Sequence, residues 1–94
     1  MDPDLPEFMI ADVVMSMAGR DEGKLFYVLE ADDVWLTLVN GKDRSIEKPK
    51  RKKSKHTRKV LRSETRVAEK LRTGDKVLNS ELRRDLAYLS RELK

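Results

Sequence analysis

Apolar and polar residues alternate along the first 40 residues and predict short β-strands. In residues 12–17 every second position is apolar, which is the period of a strand with one buried face. Residues 25–30 form an aromatic and aliphatic run that predicts a second strand, and residues 34–39, which include Trp35, predict a third. Polar segments separate these runs, so consecutive strands joined by short turns are expected.

The Asn40–Gly41 pair predicts a tight hairpin after the third strand, because a type I′ turn needs positive φ at both central positions. Residues 42–48 alternate weakly around Ile46 and predict a fourth strand that ends at Pro49. This density of short strands favours a small barrel over residues 9–48, since a closed barrel leaves no unpaired edge. The predicted fold class is therefore mainly β.

The pattern changes after Pro49. Residues 50–59 contain no apolar side chain, so this segment in isolation buries nothing that offsets its ordering entropy. We therefore expect a basic extension over residues 49–62 that is extended and mobile without a partner. Residues 63–94 predict one or two short helices, because Gly74 supplies a stop signal and Asn79 or Ser80 an N-cap.

Charge is strongly segregated along the chain. The 94 residues include 21 Lys or Arg and 17 Asp or Glu, which gives a net charge of +4. Residues 1–40 carry a net charge of −7, residues 41–62 carry +9, and residues 63–94 carry +2. This distribution predicts a basic surface formed by residues 42–62, preceded by an acidic front whose first eight residues form a flexible N-terminus.

The composition excludes several kinds of site. The chain has no cysteine and one histidine, His56, which removes disulfides, thiolate metal sites and histidine pairs. Its longest apolar run, residues 25–29, is too short to cross a bilayer. We therefore expect no catalytic residue, metal, cofactor, small-molecule substrate or membrane association. A cytoplasmic location is expected, since the absence of cysteine fits a reducing compartment.

The loop between the first two strands carries a family resemblance. Residues 13–28 combine an alternating strand, a loop with a central glycine and a second alternating strand, and this arrangement resembles the KOW motif. Gly23 falls where the family places its defining glycine, and Gly19 precedes it as in many members. Residues 9–60 as a whole are similar to the short bacterial KOW-domain RNA-binding proteins, which resemble the KOW-type large-subunit ribosomal proteins of archaea and eukaryotes.

The resemblance implies an SH3-like barrel that binds structured RNA, in or near the ribosome. Transcription elongation factors carry the same motif, and the basic run after the last predicted strand directs the resemblance towards the ribosomal-protein-like group. Asp21 and Glu22 depart from the pattern, because they lower the positive potential of the loop. The loop is then expected to act as a structural turn, while the basic extension provides most of the RNA contact.

Basic side chains are the candidate RNA contacts, since cations that neutralise phosphates release counterions. The candidates are Arg20, Lys24, Lys42, Arg44, Lys48, Lys50, Arg51, Lys52, Lys53, Lys55, His56, Arg58 and Lys59. The glycines Gly19, Gly23 and Gly41 are predicted to be structural loop residues. No aromatic residue lies inside the basic run, which gives no support for direct reading of bases. Trp35 and Phe26 are expected in the barrel core or at its edge, with a base-stacking platform as the alternative.

A second functional class stays open, namely a KOW-type protein-interaction module of the transcription or translation machinery for which RNA contact is incidental. Its binding surface would be the acidic strand face or a leucine stripe on one face of the last predicted helix, unless that stripe packs on its own domain. The stripe consists of Leu82, Leu86, Leu89 and Leu93. An enzyme has the least support, because the adjacent carboxylates Asp32 and Asp33 have no accompanying base.

Overall fold

The computed structural model describes residues 7–93, which form five β-strands, one 3₁₀ turn and two α-helices. The strands are β1 (Asp12–Ser16), β2 (Leu25–Ala31), β3 (Trp35–Val39), β4 (Lys50–Lys53) and β5 (Thr57–Arg62). The 3₁₀ turn is Ser54–His56, and the helices are α1 (Arg66–Thr73) and α2 (Asn79–Glu92). The first three predicted strands and the two predicted helices are confirmed.

The strands form one antiparallel sheet in the order β4-β3-β2-β1-β5. Although β4 and β5 lie at opposite edges, only the three residues of the 3₁₀ turn join them, so the sheet must curl until its edges converge at that turn. Backbone hydrogen bonds fix the turn to both sides, from Ser54 N to Val34 O and from Met17 N to His56 O, each 2.8 Å long. Within residues 7–93 no ladder joins β4 to β5, so the predicted closed barrel is wrong: the sheet is curled but open.

The predicted fourth strand over residues 42–48 is wrong, and so is the two-residue hairpin before it. The Asn40 Oδ1 atom instead accepts hydrogen bonds from the backbone N–H groups of residues 42, 43 and 44, each 3.0 Å long. The backbone N–H of Ile46 donates to Asn79 Oδ1 of α2 at 2.8 Å. These side chains satisfy the backbone groups that a strand ladder would otherwise pair. Residues 40–49 consequently form a loop against the start of α2.

The expectation of a mobile basic extension over residues 49–62 is also wrong, because this segment contains β4, the 3₁₀ turn and β5. Lys50–Lys53 pairs with β3, and Thr57–Arg62 pairs with β1. A strand at the edge of a sheet is stabilised by its backbone ladder on one side, and charged side chains are common there. The absence of apolar residues therefore does not prevent residues 50–59 from joining the sheet.

The period-2 alternation of the strands divides the core into two clusters on the two faces of the sheet. The helix-facing cluster contains Ala11, Val13, Tyr27 and Val39 together with Val67, Ala68, Val77, Leu82, Leu86 and Leu89 from the helical segment. The enclosed cluster contains Phe8, Val14, Phe26, Val28, Leu36 and Leu38. Its strand side chains are fully buried although no helix covers them. The curling of the sheet therefore covers this second face.

The leucine stripe of α2 packs on its own domain. Leu82, Leu86 and Leu89 are buried in the helix-facing cluster, whereas Leu93 is 47% exposed. The first three leucines are therefore covered by the sheet and present no surface to a protein partner. The cap of α2 also differs from the prediction, because its N-cap is Leu78, whose backbone N–H donates to Glu81 Oε1 at 3.1 Å.

The N-terminal boundary of the domain lies earlier than the sequence indicates. The predicted flexible segment covers residues 1–8, of which 1–6 lie outside the described residues. Phe8 is buried in the enclosed cluster, so the ordered domain includes this residue.

The longer helix of the described part, α2, has 14 residues, and no helix there is long and apolar enough to cross a membrane.

The hydroxyl group of Tyr27 connects the sheet to the start of the helical segment and to α2. The Tyr27 hydroxyl donates to Asp85 Oδ2 of α2, and its oxygen lies at hydrogen-bond distance, 2.9 Å, from Ser63 Oγ. Thr65, the N-cap of α1, donates to the same Asp85 oxygen at 2.8 Å. Burial, followed by the hydrogen bond to Asp85, raises the pKa of Tyr27 to about 12. The neutral phenol is therefore the form that holds the helices in place.

A Tyr27→Phe variant is expected to lose about 1–2 kcal/mol of unfolding free energy, because it keeps the ring but not the hydrogen bonds. Since the folded-state pKa of Tyr27 lies above its ordinary value of 10.0, the stability it contributes is complete below pH 10 and is lost as pH rises through about 12. Urea unfolding at neutral pH and across this alkaline window measures both effects. An alkaline loss of the same size in the variant would contradict the assignment.

Candidate nucleic-acid interface

The β1–β2 loop, residues 17–24, lies between basic segments that are distant in the sequence. The start of the loop contacts the 3₁₀ turn through the hydrogen bond from Met17 N to His56 O. Its end contacts the β3–β4 loop, where Lys24 Nζ lies 3.0 Å from Asp43 Oδ2. The middle of the loop contacts β4. The fold thus brings parts of three basic segments, the 3₁₀ turn, the β3–β4 loop and β4, into contact with this loop.

Asp21 joins the middle of this loop to β4 through a buried ion cluster. Its Oδ2 accepts a hydrogen bond from Lys50 Nζ at 2.7 Å, and its Oδ1 accepts from Lys52 Nζ at 3.1 Å and Ser16 Oγ at 2.6 Å. Lys52 Nζ also donates to the carbonyl oxygen of Ala18 at 2.8 Å. Asp21 and Lys52 are each 8% exposed. We call Ser16, Asp21, Lys50 and Lys52 the Asp21 cluster.

The Asp21 cluster fixes the protonation state of its carboxyl group. Burial alone would raise the pKa of Asp21, but the hydrogen bonds from Lys50, Ser16 and Lys52 outweigh it and hold the pKa well below its usual range. The carboxylate is therefore ionised and neutralises part of the lysine charge. Because Lys52 is enclosed, its ammonium faces Asp21 and not the solvent, and Lys50 is half-buried.

Asp21 therefore has a role that the sequence did not reveal. In the sequence it only lowers the positive charge of the loop, whereas in the structure it is the counter-ion that anchors the loop to β4. Its lysine partners, Lys50 and Lys52, follow it in the sequence by 29 and 31 residues. Nothing in the sequence pattern links positions so far apart, so this pairing follows only from the tertiary fold.

Two further cations of the predicted interface also have acidic partners. Lys24 pairs with Asp43, and both side chains are exposed. Lys59 Nζ lies 3.2 Å from Asp12 Oδ2, which is buried, and 5.4 Å from the centroid of the Phe8 ring. Exposed ion pairs such as Lys24–Asp43 contribute little to stability, so Lys24 is free to exchange its carboxylate for a phosphate. Lys59 instead neutralises a buried carboxylate.

The remaining predicted cations are wholly or partly exposed, and among residues 7–93 they form no salt bridge. They are Arg20, Lys42, Arg44, Lys48, Arg51, Lys53, Lys55, His56 and Arg58. Arg20 and Arg44 come together at an open cleft of about 340 Å³, which Phe26 and Lys50 also line. Guanidinium groups without acidic partners are well suited to bidentate contacts with phosphate oxygens.

Trp35 lies beside the cations of β4, although it precedes them in the sequence. It is directly opposite Lys53 in the β3–β4 ladder, and it is 36% exposed and not part of either core cluster. The Arg51 guanidinium carbon lies 5.0 Å from the ring centroid and Lys53 Nζ lies 5.6 Å from it, both within cation–π range. Trp35 therefore lies outside the core, which leaves the edge of the core as its expected position, while Phe26 is buried in the enclosed cluster.

Turn residues position the loops on either side of these cations. Gly19 and Gly23 have φ of +86° and +87°, as their prediction as structural glycines requires, and Gly23 N donates to Ser16 O at 2.8 Å. Asp32 Oδ1 accepts hydrogen bonds from the backbone N–H groups of Val34 at 2.8 Å and Trp35 at 2.6 Å. These bonds lower the pKa of Asp32 and give its carboxylate a structural place in the β2–β3 turn.

No protein-family model matches the chain, and no curated protein matches it. The assignment of a function is therefore based on the arrangement of the cations described above, together with the resemblance of residues 9–60 to KOW-domain proteins.

Proposed function

We propose that this protein is a non-enzymatic RNA-binding protein of the KOW type, similar to ribosomal proteins, that contacts structured RNA, and ribosomal RNA in particular, through phosphates and shape. The observation that carries the proposal is the group of nine exposed or partly exposed cations without acidic partners among the described residues, of which Arg20 and Arg44 meet at the cleft beside the β1–β2 loop. Such a surface binds a phosphate backbone with an affinity that comes from counterion release.

The topology supports the SH3-like fold that the KOW resemblance implies. Five short antiparallel strands curl around one apolar cluster, and a single 3₁₀ turn connects the two edge strands. The Asp21 cluster gives the β1–β2 loop a fixed position on this scaffold. A rigid loop holds Arg20 in one place relative to Arg44, which suits recognition of the shape of a folded RNA.

A triple charge reversal of Arg20, Arg44 and Lys55 to glutamate is expected to weaken binding to purified ribosomal RNA about ten- to a hundred-fold at low salt. The three residues come from the β1–β2 loop, the β3–β4 loop and the 3₁₀ turn, and none has an acidic partner in the described part of the chain. Losing three phosphate contacts should also reduce the slope of log affinity against log salt by about 2–3. Filter binding across a salt series measures both quantities.

The matched control is a triple reversal of Lys76, Arg84 and Arg91, which are exposed in or near α2 and form no salt bridge within residues 7–93. It changes the net charge by the same amount, so it should weaken binding much less if position matters more than total charge. Equal losses in the two variants would reduce the interaction to a general effect of net charge. Absence of RNA binding by the unmodified protein at low salt would refute the proposal.

A further inference from the structure

We propose that Trp35, with Arg51 and Lys53, binds one unpaired nucleotide of RNA by stacking the base on the indole ring. This inference rests on the proposed RNA-binding function and names the kind of RNA that part of the surface accepts. Stacking on an aromatic side chain requires a base that has left the helical stack, so the site would select loops, bulges or single-stranded ends. We call these three residues the Trp35 platform.

The register of the sheet places the Trp35 platform on one surface. Trp35 is opposite Lys53 and Thr37 is opposite Arg51, and residues that face each other across a ladder lie on the same side of the sheet. Val39, two positions beyond Thr37, lies on this side as well and packs in the helix-facing cluster. The helices thus cover the Val39 end of this face, while the Trp35 end stays open to solvent.

The charges at this open end are those that a nucleotide can neutralise. Arg51 and Lys53 both lie within 6 Å of the same indole centroid, and in the described residues neither has a salt bridge to a carboxylate. A phosphate beside the ring would be attracted to both cations. The combination of a partly exposed aromatic ring and two cations without salt bridges matches the base and the phosphates of one nucleotide.

The platform is also held in position before any ligand arrives. Asp32 Oδ1 accepts hydrogen bonds from the N–H groups of Val34 and Trp35, so the backbone at the start of β3 is fixed by the β2–β3 turn. The Ser54 N to Val34 O hydrogen bond ties the same turn to the end of β4. A fixed backbone at Trp35 reduces the conformational entropy that the site loses on binding, which favours stacking.

The surrounding charges give the bound strand a direction. On one side, the end of β2 and the β2–β3 turn present exposed carboxyl groups, which repel phosphates; they belong to Glu30, Asp32 and Asp33. On the other side, Lys53 leads directly to the 3₁₀ turn, where Lys55 and His56 are exposed. We therefore expect the phosphates next to the stacked base to follow the Lys53 side of the platform towards the 3₁₀ turn.

The platform can be tested in the unmodified protein, because Trp35 is the only tryptophan of the chain. Two RNAs are titrated at low salt, a blunt-ended hairpin and the same hairpin with a short single-stranded overhang. Stacking of a base quenches indole fluorescence, so the overhang RNA should quench the emission as it binds, and the blunt RNA should bind with much less quenching. Fluorescence anisotropy of a dye on each RNA reports binding independently of Trp35.

Variants of the ring test the energetic contribution. Trp35→Leu should weaken binding of the overhang RNA by about 5- to 150-fold, while Trp35→Phe should retain most of the affinity, since each base has a π-face that any aromatic ring can stack on. Tyr88→Leu is the matched control, because Tyr88 is a 50% exposed aromatic residue of α2, away from the basic surface. Circular dichroism of each variant confirms that the fold is retained.

The outcomes separate this inference from the proposed function. Binding of both RNAs without quenching, or equal affinity of Trp35→Leu and the unmodified protein for the overhang RNA, would refute the platform and leave the phosphate-binding proposal standing. Binding of neither RNA in the anisotropy measurement would refute both. A single-stranded DNA of the overhang sequence that binds and quenches equally would show that the platform does not distinguish the two sugars.

Discussion

A Gly41→Ala variant is expected to lose about 2–5 kcal/mol of unfolding free energy, because it strains the backbone and pushes α2 away from the sheet. Gly41 has a φ of +76°, which L side chains rarely adopt. A Cβ atom at this position would lie 2.2 Å from the carbonyl oxygen of Asn79 and 3.0 Å from Leu82 Cβ. Since the nearest atom belongs to the helix backbone, no side-chain rotation can remove the overlap.

The expected loss of unfolding free energy comes from weaker attachment of α2 to the β3–β4 loop and the sheet. Gly41 O accepts a hydrogen bond from Arg83 Nη1 of α2 at 2.7 Å, and Asn79 connects to the same loop through Ile46 N. Moving α2 outward would weaken both contacts and open the helix-facing cluster beneath Leu82, which is fully buried. Hydrogen exchange of the α2 amides should therefore accelerate more than that of β2.

Gly23→Ala provides the matched control for this prediction. Gly23 has a φ of +87°, so the backbone strain is similar, but no heavy atom lies within 4 Å of its Cβ position. It should lose only about 1–2 kcal/mol, the cost of the strained backbone alone. Urea unfolding of both variants measures the difference, and equal losses would mean that the contact with Asn79 contributes nothing.

An Asp21→Asn variant is expected to lose about 3–5 kcal/mol of unfolding free energy, because it leaves the ammonium of Lys52 buried without a counter-charge. The substitution keeps the size of the side chain, removes its charge and replaces one of its two acceptor oxygens by an NH2 donor. Lys50, which is more exposed, can turn towards solvent, whereas Lys52 is enclosed by the β1–β2 loop. The variant is therefore destabilised mainly through Lys52.

A second substitution isolates that contribution. In a Lys52→Met background no buried ammonium is present, so the further change Asp21→Asn should cost much less than it does in the unmodified protein. Urea unfolding of the four proteins gives the coupling energy between the two residues. Equal costs of Asp21→Asn in the two backgrounds would contradict a stabilising pair.

The pH dependence gives an independent readout of the same carboxylate. Because the pKa of Asp21 is depressed in the folded protein, its contribution to stability is complete above the ordinary carboxyl pKa of about 4 and is lost as pH falls below it. The unmodified protein should therefore lose stability on acidification below about pH 4, and Asp21→Asn should lose less over the same range.

Local sequence patterns predicted those elements whose stability depends on near neighbours. The alternation in β1 to β3 and the apolar spacing of α2 correspond directly to the faces they bury. The prediction of a strand over residues 42–48 was wrong because backbone N–H groups there donate to side chains, namely Asn40 nearby and Asn79 in the last helix. The expectation that residues 50–59 are mobile was wrong because an edge strand needs a hydrogen-bond ladder on one side only and can form without apolar side chains.

The sequence showed which basic residues are present at the candidate site, but not how the fold arranges them. The cations were all visible in the sequence, yet the sequence did not indicate that Lys52 is buried against Asp21 while its neighbours Arg51 and Lys53 point to the opposite face with Trp35. Successive side chains of β4 point to opposite faces of the sheet, which separates Lys52 from Arg51 and Lys53. This rule could be applied only after Lys50–Lys53 was known to be a strand. The pairing with β3 then brings the aromatic ring to the cations.

All basic residues of the strands lie in β4 and β5, which are also the two unpaired edges of the sheet. An exposed edge presents free N–H and C=O groups on which a strand of another molecule can add, and this is a common route to aggregation. Lys50–Lys53 and Thr57–Arg62 place positive charge along both edges, so two copies of the protein that approach edge to edge repel each other. The basic residues therefore oppose edge-to-edge association of two copies of the protein.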